Sequence, residues 1–278
     1  MIDAELRGKL RSELQDDEDL LTSAVFGILQ YVPPNVFWPM VLARARTCCG
    51  INIIKQCTDL GIQFEAYERM AVHFWPIHQK FGEPDLLLVY SGGSQLPTCF
   101  IIEAKLWASK SGWKEQDQLN RYLLALNDSI WLGQVTGFHI KLTSIGLIYL
   151  TPRAAWSELC DSIKYAPDQS TAEESLFLLE WQDILETAHQ ASHVTREPYR
   201  TMLSKIANFL ECRGLSYFCG FSHHMEEEMP SAGLLFYTPN SKSHFRGFTL
   251  APFEQLVEED TVLYGGRYED DGLREKSG

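Results

Sequence analysis

The sequence predicts an α/β fold. Three runs, "DLLLVY" (85–90), "TCFIIEAKL" (98–106) and "TSIGLIYLTP" (143–152), are of strand length and almost continuously apolar. Such runs mark strands covered on both faces. Segments with apolar residues at helical spacing lie before, between and after them. A glycine-rich linker, "SGGSQLP" (91–97), joins the first two runs with turn chemistry.

The elements follow in order. Residues 13–30 read as a helix, with apolar side chains at 20, 21, 24, 25, 28 and 29. Asp16 or Asp17 caps its start, and "VPPN" (32–35) stops it. Residues 36–49 read as a second helix. "MAVHFWPI" (70–77) suits a strand ending at Pro76. After the paired runs, "WKEQDQLNRYLLAL" (113–126) reads as an amphipathic helix. "SLFLLEW" (175–181) fits either a strand or a helix start. "WQDILETAHQ" and residues 198–214 read as helices, with Gly214 as the stop. "LSYFCGF" (215–221) and "AGLLFYT" (232–238) fit short strands. From about residue 265 the composition is that of a disordered tail. The expected organisation is one main domain, 1–222, and a C-terminal extension, 223–278, with an acidic, partly disordered tail.

Composition narrows the function classes. With 45% hydrophobic and 22% charged residues, the chain is an ordinary globular protein. No apolar run reaches the roughly 18 residues that span a bilayer, and the polar N-terminus does not read as a secretory signal. A soluble, cytoplasmic protein without membrane contact is the expectation. The seven cysteines include no CxxC pair, so neither a disulfide framework nor a zinc ribbon is indicated. The net charge of −13 argues against binding nucleic acid by bulk electrostatics. That charge is uneven: residues 98–164 are close to neutral and carry Lys105, Lys110, Lys114, Arg121, Lys141, Arg153 and Lys164. A locally basic groove remains compatible with the acidic whole.

The 84–105 hairpin places charge where the pattern predicts burial. A turn symmetric about Ser94 sets Leu87 opposite Ile101 and Asp85 opposite Glu103. Directly opposed Cβ atoms lie roughly 4.5–5.5 Å apart. Glu103 and Lys105 are two apart and share a face, so Asp85, Glu103 and Lys105 converge at one end of the hairpin. Two carboxylates so close repel when both are ionised and partly buried. A divalent cation with oxygen ligands, Mg2+ or Mn2+, resolves the conflict. A lysine beside them can hold an attacking water, which is an arrangement for metal-assisted phosphodiester hydrolysis.

"PD" at 84–85 followed by "EAK" at 103–105 resembles the PD-(D/E)xK nuclease superfamily, the restriction-endonuclease-like fold. "EDLLT" (18–22) is similar to that family's E-x-x-x-T on the first helix, and "QLNRY" (118–122) to its Q-x-x-x-Y on the helix after the catalytic strands. The order of elements matches over about residues 10–215. The resemblance implies a mixed central β-sheet flanked by helices. It implies that Asp85 and Glu103 ligate the metal with help from the Ala104 carbonyl, and that Lys105 orients the water. Glu18 would reach the metal through a water or hold Lys105, and Gln118 would position a phosphate or buttress the site. The implied activity is Mg2+- or Mn2+-dependent hydrolysis of phosphodiester bonds, in DNA first. Bacterial defence, restriction or repair, a partner protein that supplies DNA affinity, and a homodimer fit the same resemblance.

Other readings of the same residues exist. Asp85 and Lys105 can form a plain salt bridge, and the chain can be a non-catalytic subunit of that fold acting in binding or assembly. A third reading takes the apparent strands as buried helix segments of an adaptor. Trp107 and Trp113 can stack on bases or pack in the core. His73 and His78 stand at an odd spacing, which points them to opposite faces of a strand and away from a shared metal. "HHMEEE" (223–228) reads as a solvated loop, and "YSGGS" lacks the Walker lysine. The acidic tail is a candidate competitor of DNA for the groove.

Overall fold

The computed structural model describes Ile2 and residues 17–106, 108–112 and 114–217, with Glu115 described for its backbone alone. The segment 232–238, "HHMEEE", most of 215–221, the acidic tail and the tryptophans Trp107 and Trp113 therefore lie outside the described residues. Residues 215–217 are described and are not strand.

A five-stranded mixed sheet runs in the order β1-β2-β3-β4-β5. Its strands are β1 (Arg69–Phe74), β2 (Leu86–Ser91), β3 (Thr98–Ala104), β4 (Thr143–Thr151) and β5 (Leu176–Glu180). The first three are antiparallel neighbours; β3, β4 and β5 are parallel. The helices α1 (Glu18–Leu29), α2 (Pro34–Leu42) and α3 (Ile53–Asp59) precede the sheet. The crossover from β3 to β4 contains α4 (Gln118–Leu126) and α5 (Ser129–Thr136). The crossover from β4 to β5 contains α6 (Trp156–Lys164) and α7 (Gln169–Ser175), and α8 (Trp181–Val194) and α9 (Tyr199–Cys212) close the described chain. The sheet rules out the helical-adaptor reading.

The continuous apolar runs have a direct cause. Side chains alternate across a strand, and both faces of this sheet are covered. Leu86, Leu88, Tyr90, Phe100 and Ile102 pack into one core with Leu21, Val25 and Phe26 of α1, Trp38 of α2, and Trp181 and Ile184 of α8. Leu87, Val89, Cys99 and Ile101 pack into a second core with Leu119 and Tyr122 of α4 and Leu159 of α6. All seven residues of β3, the middle strand of the sheet, are buried.

Three predicted boundaries move. The helix expected over 36–49 starts at Pro34 and ends at Leu42. The chain then leaves it so that Arg46 can exchange backbone hydrogen bonds with Leu178, 3.0 and 2.8 Å, along the outer edge of β5. That pairing protects an otherwise open strand. The strand expected to end at Pro76 stops at Phe74, because Trp75 takes a positive φ of 47°. The helix expected from 113 starts at Gln118, capped by Asp117 Oδ1 on the Asn120 N–H at 3.1 Å, after a short 3-10 turn, Lys114–Gln116. "SLFLLEW" divides: β5 ends at Glu180 and α8 begins at once with Trp181, where Glu180 and Asp183 form a capping box. Of the two caps considered for α1, Asp17 holds the Leu20 N–H at 3.0 Å. Among the described residues, no helix is long and apolar enough to cross a membrane.

Candidate active site

The β2–β3 hairpin has the register expected from its turn: Leu87 pairs with Ile101 and Leu86 with Ile102. One further step along the ladder brings Asp85 level with Glu103. Asp85 is fixed from both sides. Its carbonyl accepts from the Trp75 N–H at 2.9 Å, and its Oδ2 accepts from the Ala104 N–H at 2.7 Å. The carboxylate is thus tied to the backbone between Glu103 and Lys105.

Lys105 follows β3 immediately, and its backbone is held on both sides. Its N–H donates to the Leu150 carbonyl at 2.8 Å, and its carbonyl accepts from Trp181 Nε1 at 3.0 Å. Its ammonium therefore has a set place: Nζ lies 2.6 Å from Glu103 Oε1, 3.0 Å from Glu18 Oε1 and 3.0 Å from the Ala104 carbonyl oxygen. Three oxygens from two elements surround one cation. Lys105 is 7% exposed and Glu103 1%, so these contacts are little screened by solvent.

Glu18 is the first residue of α1, and it bridges two layers. Oε1 takes Lys105, and Oε2 takes the Leu106 N–H at 2.8 Å. Of the two roles open to Glu18, the geometry has it holding Lys105. Thr22, four residues on, is buried, and its hydroxyl has no hydrogen-bond partner among the described residues.

Gln118 buttresses Glu103. Its Oε1 accepts from the Ser111 N–H at 2.9 Å, which sets the amide orientation. Nε2 then donates to Glu103 Oε1 at 2.7 Å and to the Tyr122 hydroxyl at 3.2 Å. Tyr122 in turn donates to the Glu83 carbonyl at 2.8 Å. The chain from Ser111 to Glu83 thus fixes Glu103 and the segment before Asp85 together.

The electrostatics follow from burial. Burial pushes the Asp85 carboxyl up to about 6, although Lys105 and the Ala104 N–H pull it down. Burial pushes Glu103 up to about 8, and the neighbouring Asp85 raises it further against the pull of Lys105. Burial pulls the Lys105 ammonium down, but Glu103, Asp85 and Glu18 outweigh it and hold the group above its ordinary value. The lysine stays charged while two carboxyls compete over how much negative charge the site holds.

The donors suit a hard divalent cation. Glu103 Oε2 is buried and has no hydrogen-bond partner among the described residues, an arrangement that costs free energy unless a proton or cation meets it. Asp85, Glu103 and the Ala104 carbonyl present oxygen only, the chemistry that Mg2+ and Mn2+ prefer. Among the described residues, no three His, Cys, Asp or Glu side chains gather as a metal-binding group. A cation here would rest on two carboxylates, with water and phosphate as its remaining ligands.

Two supporting contacts were not read from the sequence, and one of them takes Lys110 out of the basic groove considered there. Trp181 fixes the Lys105 carbonyl from 76 residues away. Lys110 forms a buried ion pair with Asp117 and donates to Ser162 Oγ at 2.6 Å, which closes the β3–α4 loop at its base. Both depend on long-range packing that no local pattern carries. His78 serves a turn: its Nδ1 accepts from the Lys80 and Phe81 N–H groups, and its Nε2 faces Asp128 at 3.3 Å.

No family model, curated protein or solved structure matches this chain.

Proposed function

We propose that the chain is a divalent-metal-dependent nuclease with a restriction-endonuclease-like core, hydrolysing phosphodiester bonds, in DNA first. One observation carries the reading. A buried lysine ammonium lies 2.6 Å from Glu103 at the end of a central strand, one ladder step from Asp85, with one Glu103 oxygen unpartnered among the described residues.

Asp85 and Glu103 would hold Mg2+ or Mn2+, with the Ala104 carbonyl oxygen facing the same space. Such an ion supplies Lewis-acid activation of water and neutralises phosphate charge. Lys105 supplies a fixed cation that orients the attacking water and offsets charge building on the phosphoryl oxygens. Glu18 keeps that ammonium in place and protonated. Gln118 keeps Glu103 aimed, so little reorganisation is left for the moment of reaction. The net charge of −13 favours a partner protein that supplies affinity for nucleic acid.

The second reading, a non-catalytic subunit of the same core, draws on one feature. Lys105 is already neutralised by Glu18 and Glu103, as in a structural ion pair. Incubation with supercoiled plasmid, with Mg2+ or Mn2+ and with a chelator, separates the two. Metal-dependent nicking supports the nuclease. Intact plasmid, with and without candidate partners, favours the subunit.

A further inference from the structure

Two cysteines 112 residues apart in the chain meet at the surface. Cys48 Sγ and Cys160 Sγ lie 2.9 Å from each other. Cys160 is exposed and Cys48 half-buried, so a small reagent reaches the pair. A disulfide bond is about 2.05 Å long, and closing it asks the sulfurs to approach by less than about 1 Å.

Each sulfur is presented by backbone that the fold holds in place. Cys48 stands in a turn closed by three hydrogen bonds. The Thr47 N–H donates to the Ile51 carbonyl at 2.8 Å, the Gly50 N–H to the Thr47 carbonyl at 2.9 Å, and the Ile51 N–H to Thr47 Oγ1 at 3.3 Å. The turn directly follows Arg46, which is paired with Leu178 on the edge of β5. Cys160 stands in the middle of α6. Glu158 and Ser162, each two residues from it, grip the β3–α4 loop. Glu158 Oε2 accepts from the Lys110 N–H at 3.1 Å, and Ser162 Oγ meets Lys110 Nζ at 2.6 Å. With about 3.6 residues per turn, a residue two places from both lies on the opposite side of the helix. One side of α6 therefore holds the loop that carries Ser111, and the other side carries the thiol that touches Cys48.

The chemistry has a direction. The Cys48 thiol is pushed up to about 12, first by burial and then by the Cys160 sulfur, so it is protonated at neutral pH. The exposed Cys160 is the sulfur that meets an oxidant first. Cys57 and Cys99 are buried in the two cores and take no part.

We propose that Cys48 and Cys160 are a site of reversible oxidation, closing a disulfide by exchange with a small-molecule disulfide. Cys160, as the thiolate, attacks one sulfur of the reagent; the reagent's S–S bond breaks and one small thiolate leaves. Cys48 then gives up its proton, attacks the Cys160 sulfur of the mixed disulfide and displaces the second small thiolate. The protein loses two electrons and two protons, and the reagent takes them as two small thiols. The product ties α6 to the turn beside β5 and leaves Glu158 and Ser162 to hold the loop. None of this depends on the nuclease reading.

The test is incubation of the full chain with oxidised glutathione, followed by alkylation of the remaining thiols and peptide mapping. The expected product is a peptide in which Cys48 is joined to Cys160, reversed by dithiothreitol. Cys49→Ser is expected to keep the cross-link. Cys48→Ser and Cys160→Ser are expected to lose it, and Cys48→Ser to stop at a glutathione adduct on Cys160. Closing a loop of this length restricts the unfolded chain, so the urea midpoint of the wild type is expected to rise on oxidation and that of Cys48→Ser to show no such rise. Adducts without a cross-link, or a bond through Cys49, overturn the proposal. A cross-link that lowers the urea midpoint also overturns it, because the fold then has to distort to make the bond.

Discussion

Glu18 and Lys105 stand 87 residues apart in the chain and 3.0 Å apart in space. The contact joins the first turn of α1 to the end of β3. It anchors the ammonium in a site that would otherwise hold two unpaired carboxylates. Glu18→Gln removes the charge and keeps an acceptor for the Leu106 N–H. Supporting residues around metal sites are typically worth about 10–100-fold in activity or metal affinity. A loss of cleavage in that range, with the native circular dichroism spectrum retained, is the expected result.

Gln118 orients Glu103 through an amide whose direction Ser111 sets. Gln118→Ala leaves the Ser111 N–H without its partner and takes one donor from Glu103. The expected cost is about 1–3 kcal/mol, read as a lower urea midpoint. Gln118→Glu places a third carboxyl against Glu103 and is expected to destabilise further, most at high pH.

Asp85 and Glu103 give stability a pH dependence of definite sign. Both carboxyls titrate higher in the folded state than in the unfolded chain: about 6 against 3.8 for Asp85, and about 8 against 4.5 for Glu103. The folded state therefore holds more protons across that window, and stability falls as pH rises through it. Without divalent cations, the urea midpoint is expected to be lower at pH 8 than at pH 6. Mg2+ should raise it more at pH 8, where the carboxylates bind cation without first losing a proton. Asp85→Asn removes one titration and the push on Glu103, so its profile should be flatter. An identical profile in wild type and variant contradicts the coupling.

Gly112 adopts a φ of +79°, and a Cβ there would collide with the backbone carbonyl of Gln116. The loop it shapes carries Ser111, which orients Gln118. Gly112→Ala is expected to cost at least about 1–2 kcal/mol from the left-handed backbone alone. It should also lower activity through Gln118. Thermal denaturation and a cleavage assay on the same preparation check both effects.

Much of this arrangement is legible in the sequence, for identifiable reasons. The hairpin register follows from a turn whose length leaves one symmetric pairing, so Leu87 meets Ile101 as read. Glu18 follows a cap, Asp17, that the sequence displays, whereas Gln118 reads as the interior of a helix from 113 and stands instead at its first position, capped by Asp117. What could not be read depends on distant partners. Residues 43–49 have helical composition, but Arg46 is claimed by the edge of β5. The short helices α3, α5, α6 and α7 are too brief for periodicity to stand out, although Asn52, Asp128 and Asp168 cap three of them. Trp181 reads locally as the boundary between a strand and a helix; its hydrogen bond to Lys105 depends on the packing of α8 against the end of β3.

The central claim is that Asp85 and Lys105 belong to one hydrolytic site. The direct measurement is cleavage of plasmid and linear DNA with Mg2+ or Mn2+ by the wild type, Asp85→Ala and Lys105→Ala, each shown to be folded. The account predicts metal-dependent cutting by the wild type and its loss in both variants. Cutting that survives both substitutions in pure protein would contradict it.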